Sequence, residues 1–219
     1  MFHFRIERPA NIYGSYGKTV NGVLKHGLVH VMGPAYLDKY VENTRKGIPV
    51  KKAIWFFKKE EDIADINDYL CECLPDQAAD PSKCPWVVNF SSVGPATALS
   101  IRSRENEITL YLSTAVMLMG IDLTDIQVIG MVRPFGTIHS IVQACGRGGR
   151  NMGENKRQKV TFFLLFNRSD IAENVDVSPS VRHLCLTDSC LKKTMMDFFG
   201  TEGSFGDDWC CSNCDLKKE

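Results

Sequence analysis

VKKAIWFFKKEEDIADINDYLCECL, residues 50–74, changes its hydrophobic period halfway along, and that change decides the fold. VKKAIWFF (50–57) ends in an unbroken apolar run, as expected for a strand covered on both faces. In KKEEDIADINDYLCECL (58–74), Ile63, Ile66, Leu70 and Leu74 recur at helical spacing. The acids at its start suit the positive end of a helix dipole. A buried strand feeding an amphipathic helix is the building step of a parallel sheet with crossover helices. The step repeats downstream: WVVNF (86–90), ITLYLS (108–113), IQVIGMV (126–132) and QKVTFFLLF (158–166) read as strands. TALSIRSREN (97–106) and the stretch from Thr137 to Cys145 read as helices. Upstream, residues 33–47 suit a helix, with Pro34 in its first turn and Gly47 just past its end. The expected class is α/β, a three-layer parallel sheet of about five strands.

Composition supports a folded chain: among 219 residues, 44% are hydrophobic and 24% charged, too apolar for a disordered protein. Length predicts one full domain plus a smaller appendage. The longest apolar runs, such as VTFFLLF (160–166), fall far short of the roughly 20 residues that a bilayer core requires. The start, MFHFRIERP, carries charges where a signal peptide needs its apolar region, so an intracellular setting, nuclear or cytoplasmic, is expected. There the nine cysteines stay thiols, and a close group of them reads as a metal site. Cys71, Cys73, Cys84 and Cys145 are scattered, whereas Cys185, Cys190, Cys210, Cys211 and Cys214 crowd the C-terminal end. This shift places a hinge in the polar stretch that begins at 167, with a helical or loop-rich tail from 176 onward. The 26 basic and 26 acidic residues cancel, which argues against a strongly basic, freestanding nucleic-acid binder.

Three segments carry chemistry. In QACGRGGR (143–150), Arg147 and Arg150 can bring two guanidinium forks onto one anion while the glycines let the backbone approach it, an arrangement suited to phosphate. STAVMLMGID (113–122) follows a strand, so its polar groups fall at the carboxyl edge of a parallel sheet, where such folds bind ligands. In the tail, Cys190 on a helix and the Cys211-Ser-Asn-Cys214 turn can supply three thiolates to a tetrahedral Zn²⁺. Cys210 or Cys185 is left as the fourth ligand. Cys145 reads as a buried structural thiol, and Trp55, Phe56, Phe57 and Trp86 as core. Lys51, Lys52, Arg102 and Arg104 read as surface charges able to meet phosphates, and His139 as a tolerated surface position.

These segments together resemble the RecQ family of superfamily 2 DNA helicases. STAVMLMGID and FGTIHSIVQACGRGGR are similar to its motifs V and VI, with Thr114, Met119, Gly120, Asp122, Ile138, Gln143, Gly146, Arg147, Gly149 and Arg150 matching. IWFFKKEEDIADINDYL resembles motif IV, and Arg8-Pro9-Ala-Asn11-Ile12 the linker between the family's two lobes. CLKKTMMDFFG (190–200) followed by CSNCD (211–215) resembles the RecQ zinc subdomain, whose last cysteine would fall at Lys217. Departures are Leu118 where the family has a glycine, Ala144 where it has an acid, Gly148 for Ala and Asn151 for Asp.

The resemblance implies an inter-lobe linker over 1–19, a second RecA-like lobe over 20–166, a hinge over 167–175 and a RecQ-type zinc subdomain over 176–219. It implies the C-terminal part of an ATP-dependent 3′-to-5′ DNA helicase of recombination, repair and replication. Arg147 and Arg150 would then act as catalytic groups on ATP phosphates, Gln143 would sense the γ-phosphate, and Gly120 and Asp122 would join the nucleotide site. Thr114 would contact DNA. The implied cofactors are ATP with Mg²⁺, shared with a first lobe, and Zn²⁺ on Cys190, Cys211, Cys214 and Cys210. The implied partners are single-stranded or branched DNA and a separate helicase lobe, with no membrane. No G-x-x-x-x-G-K-[ST] loop or D-E-x-H acid pair occurs in the sequence, and Gly17-Lys18-Thr19 lacks the earlier glycine. The chain by itself is therefore expected not to hydrolyse ATP. The alternative is a non-catalytic module, derived from a helicase, that binds nucleic acid or a partner. A further one is a zinc-bearing interaction protein on the same scaffold.

Overall fold

The computed structural model describes residues 2–7, 19–20, 23–24, 32, 36–89, 101, 103–115, 123–150, 160–201 and 210–216. In chain order the strands are β1 (Phe2–Glu7), β2 (Thr19–Val20), β3 (Val23–Leu24), β4 (Ala53–Phe57), β5 (Trp86–Asn89), β6 (Leu110–Ser113), β7 (Val128–Val132) and β8 (Val160–Leu165). The helices are α1 (Asp38–Arg45), α2 (Glu60–Cys73), α3 (Pro75–Ala78), α4 (Ile138–Cys145), α5 (Pro179–Leu186), α6 (Leu191–Phe198) and α7 (Ser212–Asp215). The chain forms two compact units, Pro9–Ile121 and a second made of Met1–Arg8 with Asp122–Glu219.

In the first unit β4 and β5 flank β6, both parallel to it, with Ala53 and Trp86 each opposite Leu110. All five residues of β4 are buried, as are Ile63, Ile66 and Leu70 on the inner stripe of α2. Burying an aromatic or aliphatic side chain of this size contributes about 1.5–3 kcal/mol, so Trp55, Phe56 and Phe57 anchor this half. Two side-chain hydrogen bonds tie its elements together: Tyr40 shares a 3.1 Å hydrogen bond with Thr109 Oγ1, and Trp86 Nε1 donates to Asn67 Oδ1 at 3.0 Å. Arg45 donates from Nε and Nη2 to the carbonyl of Cys73 at 3.0 and 2.7 Å and so caps the end of α2. Arg104 is likewise structural, donating to the carbonyls of Pro81 and Cys84 at 2.6 and 2.8 Å. Lys52 sits 3.9 Å from Glu105, Lys51 is exposed, and Arg102 lies outside the described residues. A short antiparallel ladder joins β2 to β3.

In the second unit β8 lies between β1 and β7, parallel to both, and Phe162 is opposite Phe4 on one side and Ile129 on the other. Every described pairing except that of β2 with β3 is parallel, and helices follow the strands, so the α/β class with its parallel sheet stands. The five expected strands form within a few residues of their expected bounds. β1 was not expected: it lies inside the stretch given to a linker, although FHFRIE alternates apolar and polar residues as a strand does. The linker motif at 8–12 and most of 97–106 lie outside the described residues.

The turn into α4 depends on Gly136, whose φ is +69° and where an added Cβ would stand 2.7 Å from Ser140 Oγ. That oxygen is engaged by the Thr137 amide at 3.4 Å, at the start of α4. Gly47 has φ +63° but open space around it. Left-handed backbone costs a non-glycine residue roughly 1–2 kcal/mol, so both alanine variants lose stability. Gly136→Ala is expected to lose about 1 kcal/mol more than Gly47→Ala, because it must also displace Ser140. Chemical denaturation of the two variants measures the difference, and equal losses would show that Ser140 yields freely.

Candidate functional site

Two groups of candidate side chains lie in the second unit. The first is the turn after α4. The helix buries Ile138, Ile141, Ala144 and Cys145 and exposes Gln143. Gly146 closes it, and the chain then winds through Arg147 N–H to the Ala144 carbonyl and Gly148 N–H to the Cys145 carbonyl, both at 3.0 Å. Gly149, at φ +71°, donates to the Ile126 carbonyl at 3.0 Å, while the Arg150 carbonyl accepts from Asp125 N–H at 3.3 Å. Two backbone bonds thus staple the arginine turn to the segment entering β7. Arg150 Nε donates to the Gly146 carbonyl at 2.7 Å, which settles one carbonyl at the negative end of α4 and holds the side chain close to its own turn. Arg147 is half-buried and Arg150 exposed. The turn therefore sets two guanidinium groups three residues apart on a glycine-rich backbone, an arrangement suited to phosphate oxygens.

Of the other expected site residues, Thr114 follows β6 in the first unit, half-buried, and Gly120 and Asp122 lie outside the described residues. Cys145 is buried, and burial pushes its thiol up, away from nucleophilic use.

The second group is a set of thiols. The Sγ atoms of Cys190, Cys210, Cys211 and Cys214 all lie within 4.8 Å of one another, with Cys190 3.4 Å from Cys210 and 4.0 Å from Cys211. Four sulfurs about 2.3 Å from a tetrahedral zinc stand roughly 3.8 Å apart, so the donor set fits that ion in number, chemistry and spacing. Each thiol is placed by local structure. Cys190 caps α6, its sulfur accepting from Lys193 N–H at 3.5 Å, and Cys211 and Cys214 bracket the first turn of α7. Cys210 and Cys211 are buried.

Burial and the adjacent Cys211 and Cys190 sulfurs raise the Cys214 thiol to about 11, and burial with Cys190 beside it raises Cys210 as well. Cys190 is held below its ordinary value: burial raises it, but the Lys193 amide and the neighbouring thiols outweigh that. Crowded thiols of this kind keep most of their protons until a cation replaces them. The sequence left Cys210 and Cys185 open as the fourth donor. Cys210 joins the group, whereas Cys185 is buried on α5 and is not among the four.

Sequence reasoning missed Asn213. Its Nδ2 donates to the carbonyls of Thr187 and Ser189 at 2.9 and 2.8 Å, tying the α5–α6 turn to the cysteine turn. It also missed an aromatic group: His139 stands edge-on to Phe198 and Phe199, with ring centroids 5.7 and 5.1 Å away. Asn213, Phe198 and Phe199 lie within the matched segments CSNCD and CLKKTMMDFFG, but the sequence does not show their partners, because each contact joins residues far apart in the chain. No helix among the described residues is long and apolar enough to cross a membrane.

Among known families, the model of the helicase conserved C-terminal domain matches residues 97–152, a stretch that includes the arginine turn. No curated protein matches. Among solved structures, Mycobacterium smegmatis helicase Lhr bound to single-stranded DNA and AMP-PNP is similar at 14% identity, over 78% of this chain and 20% of that one (TM-score 0.49). The C-terminal part of the Fun30 ATPase domain is similar at 12% identity, over 82% and 58% (TM-score 0.48). The E. coli DEAD-box protein SrmB, bound to regulator of ribonuclease activity A, is similar at 14% identity, over 96% and 93% (TM-score 0.48). The chain thus spans a fifth of Lhr and somewhat over half of the Fun30 fragment.

Proposed function

We propose that this chain is the C-terminal part of a RecQ-like, ATP-dependent 3′-to-5′ DNA helicase, made of a RecA-like lobe and a zinc-bearing subdomain. The observation that carries the reading is the arginine turn at the end of a helicase C-terminal match, followed in the same chain by four converging thiols. In this reading Arg147 and Arg150 face the β- and γ-phosphates of ATP held by a first lobe. They neutralise charge as it develops on the transferring phosphoryl group, and Gln143 is placed to sense the γ-phosphate. Thr114 contacts the DNA backbone, and Gly120 and Asp122 link nucleotide to DNA. Cys190, Cys210, Cys211 and Cys214 would hold zinc as a structural ion, whose chemistry is to replace the core that so small a subdomain lacks.

The chain contains no Walker-type loop to cradle phosphates, so purified alone it is expected to show no DNA-stimulated ATPase above background. Steady-state phosphate release measures this. Turnover that disappears in Arg147→Ala, with contaminating ATPases excluded, would contradict the assignment of these residues to half of a shared site.

A further inference from the structure

The four sulfurs reach one another from two places in the chain. Cys210, Cys211 and Cys214 share a single short turn, closed where Cys214 N–H and Asp215 N–H both donate to the Cys211 carbonyl at 3.0 Å. Cys190 lies 20 positions before Cys210, at the start of α6. Three donors are therefore assembled locally, while the fourth has to be brought in from a distant part of the chain at a cost in conformational entropy. An ion that binds the local three gains its last thiolate only where something else already favours that approach.

Asn213 meets this need. Half-buried in the turn between Cys211 and Cys214, it donates from Nδ2 to the Ser189 carbonyl at 2.8 Å and to the Thr187 carbonyl at 2.9 Å. Backbone carbonyls only accept, so the amide presents its nitrogen here and both of its hydrogens are used. An ordinary turn asparagine bonds its own loop, whereas these two contacts span 24 and 26 positions. Ser189 is the residue directly before Cys190. The receiving segment is itself fixed: Ser189 N–H donates to Thr187 Oγ1 at 3.1 Å, and Thr194 Oγ1 donates to the Cys190 carbonyl at 3.1 Å. A position imposed on the Ser189 carbonyl passes to Cys190 through one planar peptide unit.

We propose that Asn213 is a positioning residue of the thiol site, clamping the peptide ahead of Cys190 and so delivering the one donor that local structure cannot supply. The inference rests on the metal-site reading of the four thiols and deepens it, because it makes complete ligation depend on a side chain that is not itself a ligand. Without the clamp, Cys210, Cys211 and Cys214 stay together in their turn and Cys190 is held only by the ion.

The test uses the full 219-residue chain loaded with zinc. In competition with a chromogenic chelator, Asn213→Ala is expected to bind zinc about 10–100-fold more weakly, as is usual when a group that orients a metal's ligands is removed. Asn213→Asp keeps the size but turns a carboxylate toward two carbonyl oxygens, and should lose more. Alkylation with iodoacetamide, mapped by peptide mass spectrometry, separates positioning from general loosening. In both variants Cys190 should react faster while Cys210, Cys211 and Cys214 keep their protection. Arg182→Ala is the comparison: it removes side-chain bonds to the Ile171, Ala172 and Val175 carbonyls, none of them on a thiol-bearing turn. Any rise in alkylation it causes should fall on the four thiols alike. Circular dichroism establishes that each variant is folded. If Asn213→Ala is not, Asn213→Gln, which keeps the amide at a longer reach, replaces it and should show the same selective reaction at Cys190 to a smaller extent.

Folded variants that hold zinc as tightly as the unaltered chain would overturn the clamp and leave the metal site standing. So would variants in which all four thiols become reactive together, as in Arg182→Ala. An unaltered chain that binds no zinc would overturn the metal site itself, and the clamp with it.

Discussion

The chain purified without added metal is expected to carry one zinc per molecule, and Cys211→Ser to lose nearly all of it along with the folded tail. A structural zinc on thiolates supplies on the order of 10–16 kcal/mol of apparent folding free energy at neutral pH. The segment it would brace is built of the short helices α5, α6 and α7, with few buried side chains of their own beyond Val181, Leu184, Leu191 and Met195. Cys214→Ser should behave like Cys211→Ser. The discriminating pair is Cys210→Ser against Cys185→Ser: Cys210 Sγ is 3.4 Å from Cys190, so its loss should weaken metal retention by orders of magnitude, while loss of Cys185 leaves the metal content unchanged. Elemental analysis and competition with a chromogenic chelator read the metal, and limited proteolysis after residue 176 reads the tail. A metal-free but protease-resistant tail would refute the site. So would metal that survives Cys210→Ser and Cys211→Ser together.

Joined to a lobe that carries a phosphate-binding loop, the chain should lose two or more orders of magnitude in kcat on Arg150→Ala, with the ATP affinity changed only a few-fold. An arginine that meets charge developing in the transition state acts on turnover, and in related phosphoryl-transfer enzymes such a group supplies roughly 10³–10⁵. Arg150 is exposed and its Nε is already bonded to the Gly146 carbonyl, so its reach is set by the staple that holds the turn to Ile126 and Asp125. Arg150→Lys keeps the charge but not the fork, and is expected to recover only a minor part of the loss. Steady-state kinetics separate the outcomes, and equal losses in kcat and in affinity would mean that Arg150 holds the ground state or the turn instead.

The sequence by itself determined the α/β class. Its signal is local: an unbroken apolar run such as AIWFF and a 3.6-residue stripe such as Ile63, Ile66 and Leu70 each declare their own burial, whatever they pack against. It also determined that Arg147 and Arg150 share one turn and that Cys190, Cys211 and Cys214 belong together, because those relations lie within short spacings or a single motif. Only the tertiary structure decided the rest. β1 belongs to a sheet because β8, some 150 residues later, offers it a parallel edge, and no local pattern specifies a partner so distant. Cys210 was chosen over Cys185 as the fourth thiol because the first turn of α7 folds back onto the start of α6, while α5 turns Cys185 into the core. The meeting of His139 with Phe198 and Phe199 has the same origin: exposure and proximity are properties of packed helices, and a one-dimensional string carries no record of which faces remain open to solvent.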